Sequence, residues 1–107
     1  MKKIVFLFFL LTTNVSFALG NFNAVNIKQI YVREGVVDVY LTSAHSNPTG
    51  CTVDTVIRLN ANEHLNTNLM YSALLSAHVA NRKISGWLGR CDSEGRAVIH
   101  AINIEPN

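Results

Sequence analysis

After residue 24, apolar and polar side chains alternate along most of the chain, and that period of two predicts strands. From Val25 to Arg33, the residues Val25, Ile27, Gln29 and Tyr31 share one face, and Asn26, Lys28, Ile30 and Val32 the other. Arg33-Glu34-Gly35 reads as a turn, with Gly35 able to take positive φ. Val36 to Thr42 alternates again, with Val37, Val39 and Leu41 against Val36, Asp38 and Tyr40, which completes a hairpin. Ser43 to Gly50 is a polar loop rich in turn formers. A third strand runs from Cys51 to Leu59 and a fourth from Ile84 to Arg90, around Trp87. A fifth covers Arg96 to Ile104, with Val98, His100, Ile102 and Ile104 on one face. Leu19 to Ala24 carries no clear alternation and reads as loose.

Between the third and fourth strands the pattern changes. From Glu63 to Ala80, Leu, Ala and Met are dense and β-branched residues nearly absent, which predicts a helix. Asn62 suits its N-cap with Glu63 in the first turn, and Asn66 would cap a shorter helix. Asn81 can end it in the left-handed conformation, with Arg82 and Lys83 at the negative end of the dipole. The order β-β-β-α-β-β makes a mainly β domain with one helix. It is the order of the five-stranded OB barrel, although other small α+β sheets share the string.

At 100° per residue, Leu69, Ala73, Ala77 and Ala80 form one apolar stripe, widened by Met70 and Leu74. Leu75 and Val79 lie nearly opposite. A single barrel covers only one of these faces. The other is left for the chain's own loops or for a second chain, and exposed apolar surface usually marks an interaction site. The expectation is self-association through Leu69, Ala73, Leu74, Ala77 and Ala80, with head-to-tail contacts closing into a ring.

The N-terminus changes the composition. Lys2 and Lys3 precede an unbroken apolar run from Ile4 to Leu11, and Ser16-Phe17-Ala18 then offers a small-x-small cleavage site. This is the layout of a secretion signal over residues 1–18, with a second possible site after Gly20. The apolar run is far shorter than the ~20 residues a spanning helix needs, so no membrane insertion is expected. Cleavage would reduce 107 residues to 89 and nine basic residues to seven, against seven acidic ones. A neutral domain over residues 19–107 has no surplus of Lys and Arg for nucleic acid. Export to the periplasm or medium would put Cys51 and Cys91, the only cysteines, in an oxidising compartment where they are expected to pair.

No catalytic constellation is evident. There is no G-x-S-x-G and no P-loop. The His are scattered, and no metal or cofactor is expected. Asp38 and Asp54 read as ordinary solvated charges, and His100 as a core or interface histidine. Two features suit sugar binding. Trp87 offers a large apolar surface with one donor, although a core or interface role is the more usual one for such a residue. The loop holds small hydrogen bonders (Ser43, His45, Ser46, Asn47 and Thr49) of the kind that reads hydroxyls in OB barrels, although an ordinary polar turn has the same composition.

The run Ser72-Ala73-Leu74-Leu75-Ser76-Ala77, followed by a short link, a strand and Cys91, resembles the B subunits of Shiga-type toxins. The signal segment, size, element order and single cysteine pair are similar to the wider family of one-A-five-B receptor-binding subunits, including the pertussis and subtilase types. The local resemblance spans Asn68 to Ile104. It implies an OB-fold pentamer that binds cell-surface glycans, has no enzymatic activity of its own and carries a separate catalytic A subunit. Two departures stand out. The first cysteine of Shiga-type subunits lies near the mature N-terminus, and their tryptophan at the helix start is absent here. Their sugar-contacting residues therefore do not carry over. The rival expectation is a monomeric or dimeric secreted protein that inhibits or binds another protein.

Overall fold

The computed structural model describes residues 20–62 and 66–106. The secretion signal expected over residues 1–18 and the helix start expected at Glu63 lie outside the described residues. The elements are β1 (Gly20–Val25), β2 (Ile27–Arg33), β3 (Val36–Leu41), β4 (Val53–Asn60), α1 (Thr67–Val79), β5 (Ile84–Cys91) and β6 (Arg96–Ile104). The fold is mainly β with one helix. The strands form one sheet in the order β1-β5-β6-β4-β3-β2. Every neighbouring pair is antiparallel except β4 and β6. β1 and β2 stand at opposite ends of that order, yet Asn26 alone separates them in the chain. The sheet is therefore curled into a half-barrel whose two ends meet at one residue.

The segment expected to be loose is β1. Only Phe22 and Val25 of its six residues are buried, so its own sequence carries a weak signal. Pairing with β5 supplies the rest, with Asn21 opposite Trp87 and Phe22 opposite Gly86. β2 also departs from simple alternation. Its ladder with β3 shifts by one residue between Ile27 and Gln29. The shift turns Ile27 and Ile30 toward the core and leaves Tyr31 and Val32 exposed. A bulge has this effect because side chains alternate strictly with position.

The concave face of the sheet holds the core: Phe22, Val39, Leu41, Ile57, Leu59, Ile84, Leu88, Ala97 and Ile99. α1 packs on it across β6, β2 and β4, through buried Leu74 and Ala77 with Met70 and Tyr71 beside them. Asn66 holds the N-cap position, so the shorter of the two expected helices forms. At the other end, Asn81 takes φ +57°. The Arg82 and Asn81 amides donate to the Ala77 and His78 carbonyls at 2.8 and 3.2 Å, closing a Schellman motif.

Cys51 and Cys91 form the expected disulfide, with Cα atoms 5.5 Å apart and 40 positions between them in sequence. It ties the entry to β4 to the end of β5. For a loop of that length the chain-entropy gain is about 4 kcal/mol.

The convex face is more polar than the sequence reading expected. Asp38 is no solvated charge, being 1% exposed. Its carboxylate accepts from Arg58 Nε at 2.6 Å, Arg96 Nη1 at 3.1 Å and Arg33 Nη2 at 3.2 Å. Arg58 also donates to Asp92 and to Glu94, each at 2.7 Å. The turn between β5 and β6 thus folds back over β3 and β4. The Asp38 hydrogen bond leads in raising the Arg58 pKa, against the opposing effect of burial. Burial pushes Asp92 up, but the Arg96 and Glu94 amides and the Arg58 guanidinium outweigh it and leave its pKa below 3.8.

Candidate binding face around Trp87

Trp87 projects from β5 onto the convex face and is 50% exposed, so it is not part of the core formed by the described residues. Asn21 of β1 lies opposite it on one side and Ala101 of β6 on the other. These three residues form one rung across the sheet, and two positions further on Ser85 pairs with Asn103. Residues two apart on a strand share a face, so Ser85 and Asn103 flank the indole. Ser85 Oγ donates to Glu105 Oε2. Asn103 Nδ2 donates to the same oxygen at 3.0 Å and to Ser85 Oγ at 3.3 Å. The result is a broad apolar plate bordered by an amide, a hydroxyl and a carboxylate.

His100 borders the other side. Trp87 pairs with Ala101 but Leu88 pairs with Ile99, so His100 falls in a bulge. The bulge overturns the expected single face of Val98, His100, Ile102 and Ile104. Ala97 and Ile99 point into the core before it, and Ile102 and Ile104 pack there after it. His100 itself is exposed rather than a core residue. Its imidazole lies across Gly89, where a Cβ would overlap the ring. Beyond His100 and Ala101, a cleft of about 390 Å³ opens between β6 and the start of α1. Asn66, Leu69, Met70 and Ala73 form its helical wall. That volume is at the low end of the range for small-ligand sites. Ala101 belongs to the Trp87 rung and also lines the cleft, which opens on the side of the sheet that carries α1.

The loop residues expected to join Trp87 are placed differently. His45 is buried. The Asn47 side chain accepts from Cys51 N–H at 2.8 Å and donates to Cys51 O at 2.9 Å. Thr49 Oγ1 lies 3.4 Å from Cys51 Sγ. Ser46 Oγ accepts the Asn23 N–H at 3.2 Å. These polar atoms are committed to holding the loop against β1 and β4, while Ser43 is exposed. The loop lies along the free edge of β1, and Trp87 is on the far side of that strand.

The helix surface is also placed differently. Leu74 and Ala77 face the chain's own core, so they are not available to a second chain. Leu69 is 71% and Val79 85% exposed, and Ser72, Leu75, Ser76 and Ala80 are exposed between them. No charged residue lies on this solvent face.

Sequence reasoning did not find Asn21, Ser85, Asn103, Glu105 or the His100 bulge. Only Trp87 was legible, because strand pairing rather than chain order gathers the others. Among the described residues, no three His, Cys, Asp or Glu side chains come together to hold a metal. No helix among them is long and apolar enough to cross a membrane. No family model matches the chain, and no curated protein or solved structure matches it.

Proposed function

We propose that this chain is a secreted, non-catalytic glycan-binding subunit that acts as a homo-oligomeric ring. The observation that carries the reading is the half-exposed indole of Trp87, bordered by Asn21, Ser85, Asn103 and Glu105. A flat aromatic face takes the C–H surface of a sugar ring, and amides, hydroxyls and carboxylates pair with its hydroxyls. The domain reads as an OB barrel. The parallel β4–β6 pair, the antiparallel remainder, the near-continuous β1–β2 passage at Asn26 and the helix between β4 and β5 support that assignment. The disulfide suits an exported protein. The uncharged outer face of α1 supports ring assembly through Leu69, Leu75 and Val79. Five copies, and a catalytic partner chain carried by the ring, follow from the resemblance to toxin B subunits. Affinity then comes from several weak sites acting together.

The test is a glycan array probed with the oxidised protein and with Trp87→Ala. The reading expects binding to a defined glycan set and at least a ~10-fold loss in the variant, the scale of removing one aromatic anchor. Failure of the protein to bind any glycan, or equal binding by the variant, contradicts it.

A further inference from the structure

The loop between β3 and β4 holds a histidine whose burial and hydrogen bonding suit its neutral form. His45 is 4% exposed. Its Nδ1 accepts the backbone N–H of Asn47 at 2.8 Å, so the neutral ring carries its proton on Nε2. Nε2 is buried with no hydrogen-bond partner among the described residues. The ring meets Phe22 of β1 edge-on, with centroids 6.3 Å apart. Around this histidine the loop acts as a strap. The His45 N–H donates to Asp54 O at 2.8 Å, which anchors it to β4. The Asn23 N–H donates to Ser46 Oγ, which anchors it to β1. Pro48 sits so close over Gly20 that a Cβ there would overlap it.

We propose that this loop is an acid-released latch: protonation of His45 at Nδ1 frees Ser46 and Pro48 from β1 and uncovers the edge of that strand that faces away from Trp87. The proton converts Nδ1 from acceptor to donor, facing the donor N–H of Asn47. It also places a charge where the ring is shielded from water. The titratable group facing the ring is Asp54 on β4, which favours the imidazolium. β1 and the rest of the loop contain no other titratable group, and Cys51 is held in the disulfide. Desolvation outweighs Asp54 and holds His45 below its ordinary value of 6.5. The closed loop is therefore fully stable above 6.5 and loses stability as pH falls toward the lowered value. Asn21, which pairs with Trp87, belongs to the strand that the loop leaves.

The test is amide hydrogen exchange of the whole oxidised protein from about pH 7.5 to about pH 5, where imidazoles titrate. Protection factors are used so that intrinsic rates cancel, and the His45 ring is followed by NMR. Protection of Asn23 and Asn47 is expected to fall by about tenfold per pH unit below 6.5, where the released ring protonates and the closed one does not, while Ile57 in the core stays protected. In His45→Asn, whose side-chain oxygen can accept from Asn47 without titrating, the pH dependence should vanish. Unchanged protection of Asn23 and Asn47 while the ring titrates overturns the latch, as does loss of Ile57 protection in step with them.

Discussion

Because Trp87 pairs with Ala101 and Leu88 with Ile99, the one residue inserted between those rungs, His100, sets the direction of everything after it on β6. Without that insertion Ile102 and Ile104 would turn outward beside Trp87. With it they return to the core, and Ala101 and Asn103 border the indole instead. At the same scale, Asp38 is the hub of the convex face. Replacing it with Ala leaves Arg58, itself buried, facing its partners without the central carboxylate. Chemical denaturation of Asp38→Ala should show a loss of about 3–5 kcal/mol, the cost of breaking a buried pair from one side. Asp92 predicts the acid limit. Its folded pKa lies below 3.8, so its contribution is present above 3.8 and lost as pH falls through the lowered value. Stability measured against pH in Asp92→Asn should lack that acid-side fall, whereas a curve matching the parent would assign it elsewhere.

Among the elements, β2, β3, β4, β5, β6 and the shorter form of α1 were legible in the sequence, because their alternation or helical composition is strong over six residues or more. β1 was not, since two buried residues in six leave no pattern, and a neighbouring strand defines it. The bulges in β2 and β6 were not legible either, because alternation in one strand cannot show a residue skipped by its partner. The helix shows a related ambiguity. Two of its faces are apolar, so its sequence could not say which one the sheet would take. The sheet took Leu74 and Ala77, and left Leu69, Leu75 and Val79 outside. The Asp38 network was hidden for a similar reason. Arg58 becomes its partner only when β3 and β4 pair with Asp38 opposite Arg58. One covalent link joins distant elements, and its effect is predicted directly. Reduction of Cys51–Cys91 should lower unfolding free energy by about 4 kcal/mol, measured by denaturant titration with and without reductant. A loss below about 1 kcal/mol would mean that the sheet alone fixes the geometry.

For the whole molecule, the curl of the sheet brings β1 and β2 together at Asn26, places α1 across the concave side and leaves two surfaces without a partner among the described residues. One is the uncharged outer face of α1, which in our reading meets neighbouring copies. Native mass spectrometry should then give a closed ring, and Leu69→Glu with Val79→Glu should reduce it to monomers. A parent protein that is monomeric at every concentration would rule out assembly through the helix. The other surface is the Trp87 face, the centre of the functional proposal. Trp87 is the only tryptophan in the sequence, so intrinsic tryptophan emission reports that surface directly. The decisive measurement is a fluorescence titration of the oxidised protein with glycans that it binds on an array. A saturable shift in Trp87 emission is expected, because a stacked sugar removes water from the indole. Emission that stays constant while glycan binds would place the site elsewhere and contradict the account.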